Sequence, residues 1–245
     1  MATRHGTSEA LDEIQSAADR MGDWIQKHLV AVGAALGALL LLAGILSFVW
    51  SAREAAERHA SAAMAEVRND YLAAMGVGPG ALEVPELASE EAARRIRDEY
   101  ERRFAEVADE HPGTVSGALA RMEVAQLRAD AGDHAAALAL YEQILVEGAG
   151  GQRMRGLVLQ RAAAALEEQG SWEEAASRHE KAAALADYPL RPWALADAAR
   201  CRAAAGDPGA ALALYRRLTA EAPELRLPDH QRVQMQELEA SAGLP

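Results

Sequence analysis

Few residues of this chain have the type and spacing to do chemistry. Acidic neighbours stand at Glu167-Glu168 and Glu173-Glu174, and paired carboxylates can divide acid and base roles between them. Both pairs fall in helix-forming stretches, where they are expected on solvated faces. The seven histidines are scattered, with no H-x-x-x-H or H-E-x-x-H spacing to set two imidazoles on one helix face around a metal. The single cysteine, Cys201, excludes an intramolecular disulfide and a cysteine-built zinc site. It reads as a small apolar residue buried in a helix. No G-x-S-x-G elbow, G-x-x-x-x-G-K loop or G-x-G-x-x-G turn occurs, and GVGPG at 76–80 has no preceding strand to make it a nucleotide loop. The expectation is a protein with no catalytic residues, no cofactor and no metal, which acts by binding.

What remains is the scaffold. With 245 residues the chain can form one or two domains. Half of it is apolar, but only 4 % is aromatic. Ala, Leu, Glu and Arg are abundant and form helices well, whereas the β-branched and aromatic residues that favour strands are scarce. The fold class expected is all-α. The net charge is −12 and no Lys/Arg run exceeds two residues. Nucleic acid, whose backbone demands basic patches, is therefore not an expected partner.

Residues 29–50, LVAVGAALGALLLLAGILSFVW, carry no charge. As a helix rising about 1.5 Å per residue, they match a hydrocarbon core of about 30 Å. Lys27 and His28 bound one end and Arg53 the other, and Trp24 and Trp50 stand near the two interfaces where amphipathic rings prefer to lie. The run is longer than the roughly 7–15 apolar residues of a cleaved signal peptide, several acids precede it, and Val49 and Ser51 offer only a weak cleavage site. An uncleaved signal anchor is expected. Arg20 and Lys27 before the span nearly balance Arg53 and Arg58 after it. The short tail and large C-terminal part instead set the expected orientation: N-terminus in the cytoplasm, C-terminal domain in the periplasm, anchored in a bacterial inner membrane. Leu11, Ile14, Ala18, Met21 and Ile25 follow helical spacing, predicting an amphipathic helix over 8–28 within a cytoplasmic tail, 1–28.

Beyond the span the chain repeats itself. AGDHAAALALY (131–141) returns as AGDPGAALALY (205–215), with QGSWEEAASRH (169–179) between them. The turn glycines, Gly132, Gly170 and Gly206, are 38 and 36 residues apart, a period that belongs to stacked helix pairs. Glycine suits the left-handed residue that closes one helix, and Asp133, Ser171 or Asp207 then caps the next. Ser171 with Glu174 has the S-x-x-E form of a capping box, and Pro208 fits the first helical position.

At these residues the chain resembles the tetratricopeptide repeat. The small residue of that repeat's first helix falls on Ala125, Ala163 and Ala199, and that of its second helix on Ala137, Ala175 and Ala211. The ring position falls on Tyr141, His179 and Tyr215, and the next core position on Ile144, Ala182 and Leu218. Leu159 and Leu195 fill the large position early in the first helix, where the first copy has Arg121; the closing proline is Pro223, replaced by Ala149 and Asp187 in the other copies. Upstream, Phe104 and Pro112 keep the ring-to-proline spacing. Residues 89–110, capped by Ser89, thus read as the second helix of a degenerate repeat, partnered by 53–75 across the break at 76–85. The expected layout is a periplasmic solenoid over 51–245, with repeats at about 89–112, 114–149, 152–187 and 190–223 and a capping helix at about 229–241, begun by Asp229. First helices line the inner face of such a stack. That gives Leu119, Met122, Gln126, Leu157, Gln160, Trp193 and Arg200 as a candidate protein-binding groove. Trp193, following Pro192 at a helix start, is of a type favoured at binding hot spots.

The whole layout resembles one bacterial family, the single-pass ancillary subunits of the Sec translocon, whose periplasmic domain is related to that of the cell-division coordinator. The resemblance runs from about residue 14 to the C-terminus. It rests on the anchor followed by a long helix, on FAEVADEHPGTVSGALARMEVAQL (104–127) and on LPDHQRVQMQELEA (227–240). The chain is longer than a typical member, and its copy at 190–223 is a more regular repeat than the family has there. The resemblance implies a membrane-tethered, chaperone-like platform. It would meet secreted polypeptides beside integral membrane translocon subunits and work with periplasmic folding factors. The alternatives are a scaffold for another envelope machine (cell division, cell-wall synthesis or pilus assembly) and an envelope enzyme.

Overall fold

The computed structural model describes Met21, Trp24, 26–77 and 89–242. Most of the helix expected over 8–28, and most of the break at 76–85, lie outside the described residues. Among the described residues there is no strand. The helices are α1 (Leu29–Ala74), α2 (Glu90–Glu110), α3 (Val115–Asp130), α4 (His134–Glu147), α5 (Gly151–Glu168), α6 (Trp172–Ala183), α7 (Arg191–Ala204), α8 (Pro208–Glu221) and α9 (Asp229–Ala242). The chain divides into two compact units, Met1–Ala55 and Ala56–Pro245.

In the first unit the apolar run is helical and its side chains face outward: Leu40, Phe48 and Trp50 are 74 %, 75 % and 76 % exposed. No described side chain between 29 and 50 is buried. Among the described residues, α1 is the one helix long and apolar enough to cross a membrane.

The second unit is a tetratricopeptide-like α-solenoid, and its turns show why the sequence pairs its helices. Gly132, Gly170 and Gly206 have φ of +83°, +73° and +82°, the left-handed region where a side chain would be strained. The residue after each glycine donates its N–H to the carbonyl five residues back, Asp133 to Arg128, Ser171 to Leu166 and Asp207 to Arg202, each at 2.9 Å. This closure satisfies carbonyls left open at the helix end. Asp133 and Asp207 then cap the next helix, accepting from the N–H of Ala136 at 3.1 Å and Ala210 at 2.9 Å. Ser171 departs from expectation: its side chain makes no capping bond, and its N–H, given to Leu166, is not free for Glu174. The capping box does not form. Asp229 also departs. It lies within the first turn of α9, bound to Arg232 Nη2 at 2.7 Å, rather than capping it.

The repeated positions make the core. Ala125, Ala163, Ala199, Ala137, Ala175, Ala211, Tyr141, His179, Tyr215, Ile144, Ala182 and Leu218 are all buried. Small residues let the helices approach closely, and the rings fill the seams between pairs. Leu159 and Leu195 are buried as well, while Arg121 in their place turns to Glu147 and Asp109. Upstream, Met64 and Val67 of α1 pack with Tyr100, Phe104 and Val107 of α2 and with Ala120, Val124 and Leu127 of α3. Glu57 secures this contact. Its carboxylate accepts from the N–H groups of Val115 and Ser116 at 2.7 and 3.0 Å and from Ser116 Oγ at 2.6 Å. A carboxylate at a helix N-terminus meets both unpaired donors and the positive end of the helix dipole.

Candidate functional site

The seven residues expected to line a groove sit on α3, α5 and α7, the first helices of the repeats. These helices and α9 are cross-linked in a row. Arg161 Nη1 donates to Gln126 Oε1 at 3.1 Å, Arg200 Nη2 to Glu167 Oε2 at 2.7 Å, and Gln231 Nε2 to Asp197 Oδ1 at 3.2 Å. Leu119 and Met122 are half-buried against the core around Tyr141, and Leu157 against the core around Tyr188 and Leu195. Gln126 is also engaged with Asp130, and Gln160 accepts from the Tyr188 hydroxyl. Trp193, at 36 % exposure, is the one exposed member of the set. No two of the seven share a hydrogen bond or ion pair among the described residues. The row offers a partner half-buried apolar surface, amides and one open aromatic ring.

The most connected polar group lies elsewhere, at the seam between the second and third repeats. Glu167 of α5 accepts from Arg200 Nη2 through both oxygens, at 2.9 Å (Oε1) and 2.7 Å (Oε2). Its Oε1 also meets His179 Nε2 of α6 at 2.8 Å and accepts from the Cys201 thiol of α7 at 3.2 Å. The solvated face expected for Glu167 is therefore overturned. Its side chain is only 15 % exposed, because the third repeat packs over the end of α5. Glu168, Glu173 and Glu174 are exposed. Cys201 is fully buried.

The electrostatics of the cluster follow from this geometry. Burial pushes the Glu167 carboxyl up, but the hydrogen bonds from His179 and Arg200 and the Arg200 charge outweigh it, holding it below its ordinary value. Burial, and then the neighbouring Glu167 charge, push the Cys201 thiol well up. Such a thiol is a poor nucleophile. A carboxylate can only accept, so His179 Nε2 carries the proton shared with Glu167; its Nδ1 is buried without a partner.

Spacing gave no sign of this cluster, because its residues lie on three helices. The repeat alignment holds the signal. Counted from the turn glycines, Glu167 stands where the other copies have Ala129 and Ala203. His179 stands where they have Tyr141 and Tyr215, and Cys201 where they have Leu127 and Ala165. Three departures from the repeat meet at one point.

Stacked helix pairs closed by Gly-polar turns around a core of repeated small residues and rings define a tetratricopeptide-like repeat protein. This class generally works as a scaffold for protein–protein interaction. No known sequence family and no curated protein matches the chain. Among solved structures, a Podosopora anserina protein described as a kinesin light chain, with nearly identical TPR-like repeats, is 20 % identical. It covers 62 % of this chain and 84 % of its own, with a TM-score of 0.49. A point variant of that protein is 21 % identical with the same coverage and TM-score. A double mutant of MamA RS-1 is 16 % identical over 74 % of this chain and 97 % of its own, with a TM-score of 0.46. The fold assignment rests on the packing described above.

Proposed function

We propose that this protein is a membrane-anchored protein–protein interaction module that acts by binding and not by catalysis. Residues 29–50 cross a bacterial inner membrane once, the tail 1–28 lies in the cytoplasm, and the repeats within 51–245 hold polypeptide partners in the periplasm. One observation carries this: a repeat stack and an uncharged helical run with outward apolar side chains occur in the same chain. In water that run would be a large exposed apolar patch; in a bilayer it matches the surrounding solvent, and the helix satisfies its own backbone.

The finer reading is an ancillary subunit of the Sec translocon that receives secreted polypeptides as they emerge. The family resemblance of 104–127 and 227–240 supports it. Tethering raises the effective concentration of the binding surface at the exit site without any new contact. The regularity of the third repeat favours a second reading, a scaffold for another envelope machine. Its core positions Ala199, Ala211, Tyr215 and Leu218 are as buried as those of its neighbours.

Crosslinking in membranes followed by affinity purification tests the choice. Enrichment of translocon subunits over an unrelated anchored protein is the expected result. Enrichment of division, cell-wall or pilus components instead would replace the first reading with the second. A reporter active only outside the cytoplasm is expected to be active when fused after Pro245, and activity only at the N-terminus would overturn the orientation.

A further inference from the structure

We propose that Glu167, His179 and Cys201 form a binding site for one divalent metal ion of the zinc class, which staples the second repeat to the third. The three side chains offer an oxygen, an imidazole nitrogen and a sulfur that lie within 4.8 Å of one another. They come from α5, α6 and α7, so one ion would tie three helices. Glu167 Oε1 is the common point, 2.8 Å from His179 Nε2 and 3.2 Å from Cys201 Sγ. Ligands on one tetrahedral zinc, at bond lengths of about 2.0–2.3 Å, stand roughly 3–4 Å apart. Two of the three separations are near that spacing and the third lies within 4.8 Å, so the site calls for modest side-chain shifts. Carboxylate, imidazole and thiolate together suit a borderline-soft ion such as zinc and not magnesium or calcium, which favour oxygen alone.

Two further features fit. The metal-ligand residue types appear only where the repeat departs from itself: the equivalent positions hold Ala129 and Ala203, Tyr141 and Tyr215, and Leu127 and Ala165, none of which binds zinc in such a site. At other seams neutral amides accept the cross-links, as where the Tyr215 hydroxyl donates to Gln234 at 2.9 Å and Arg161 to Gln126 at 3.1 Å, so the stacking does not by itself call for a buried carboxylate, imidazole and thiol at this one. A ligating carboxylate also needs an outer partner to hold it. Arg200 supplies one at Glu167 Oε2, 2.7 Å away, would yield its 2.9 Å contact with Oε1 to the ion, and is itself 3.6 Å from Asp197.

The proton balance is simple. The ion takes Oε1, Nε2 and Sγ, leaving a fourth position for water. The Cys201 thiol proton leaves to solvent, and the ring proton moves from Nε2 to the unpartnered Nδ1, so each ion bound releases one proton. Because a proton is released, binding strengthens as pH rises.

The test uses the full chain in detergent micelles, stripped with a chelator. It is titrated with Co2+ as a spectroscopic probe and then with Zn2+ as competitor. One equivalent of Co2+ is expected to give a near-ultraviolet thiolate-to-cobalt charge-transfer band, which Zn2+ abolishes, and Zn2+ raises the unfolding temperature. Cys201→Ala installs the alanine that the second repeat already carries at Ala165, and His179→Gln adds no bulk at a position packed against Glu167; each is expected to lose the band and the Zn2+-dependent rise. Absence of the band in the unmodified protein at saturating Co2+ overturns the proposal. So does an equal Zn2+-dependent rise in the unmodified protein and both variants, which would place the ion on surface side chains.

Discussion

Replacing Glu167 with alanine removes the hub that joins the second and third repeats. Arg200, 26 % exposed, keeps only Asp197 at 3.6 Å as a carboxylate partner. His179 is left buried with neither ring nitrogen bonded. Breaking one side of a buried ion pair costs about 3–5 kcal/mol. Arg200 regains some hydration because it reaches solvent, which lowers the expected loss to about 2–4 kcal/mol. A variant combining E167A, H179Y and R200Q places at the seam the residues that the first repeat carries at Ala129, Tyr141 and Gln126. With charge and need for charge removed together, and with the larger ring filling space vacated by Glu167, it is expected to lie within about 1 kcal/mol of the parent. The assay is urea unfolding of the chelator-treated full chain in micelles, followed by circular dichroism of the repeat domain. With a denaturant slope of about 2 kcal/mol/M, the single variant is expected to lower the midpoint by about 1–2 M. A single variant with an unchanged midpoint would refute the reasoning, as would a triple variant no better than the single one.

The other contacts of the fold carry expected outcomes of their own. Glu57 and Glu167 both have folded pKa values held below 4.5, so the stability they contribute is present above that pH and is lost as pH falls through the lowered values; acid titration of the unfolding temperature checks this, and a rise on acidification contradicts it. Cys201 is expected to resist alkylation by iodoacetamide in the native chain and to react fully in urea, read by mass spectrometry; rapid native labelling would contradict its burial. Gly156→Ala is expected to destabilise, because a Cβ there would stand 2.8 Å from Tyr188 Cδ1 and nearer still to two other ring carbons. Overpacking of about 1–3 kcal/mol outweighs the roughly 1 kcal/mol that alanine gains in helix propensity, and a more stable variant in thermal unfolding would show that the ring gives way freely. Trp193→Ala is expected to weaken capture of the partner found by crosslinking while changing the melting temperature little; a large drop in melting temperature would assign the ring to packing instead.

The repeat was legible because its constraints act locally and recur. A left-handed glycine at 132, 170 and 206, a polar residue after it, and small residues seven before and five after each leave a period that no tertiary knowledge is needed to see. The same logic failed at Ser171. An S-x-x-E string matches a capping box letter by letter, yet the Gly-Ser closure had already committed the Ser171 N–H to Leu166. It failed again at Asp229, where the first turn begins one residue early and the carboxylate turns to Arg232. At Ser171 two local motifs compete for one backbone N–H, whereas at Asp229 the carboxylate is drawn to a side chain within its own first turn.

Glu167 was hidden for a different reason. Its neighbours along the chain, Glu168 and Gln169, are exposed, and a pair of acids near a helix end ordinarily faces water. Only the third repeat, laid across α5 by the stacking, turns that position inward, and only there do Arg200 and Cys201 come within reach. A one-dimensional stack thus writes its fold in what its copies share. Whatever distinguishes one seam from the next must lie in what they do not share. Glu167, His179 and Cys201 are such departures, and burying the ionised Glu167 costs more desolvation than the alanines at its sister positions. These three side chains meet at one point and offset part of that cost by bonding one another and Arg200, and the proposed ion would give them a common partner.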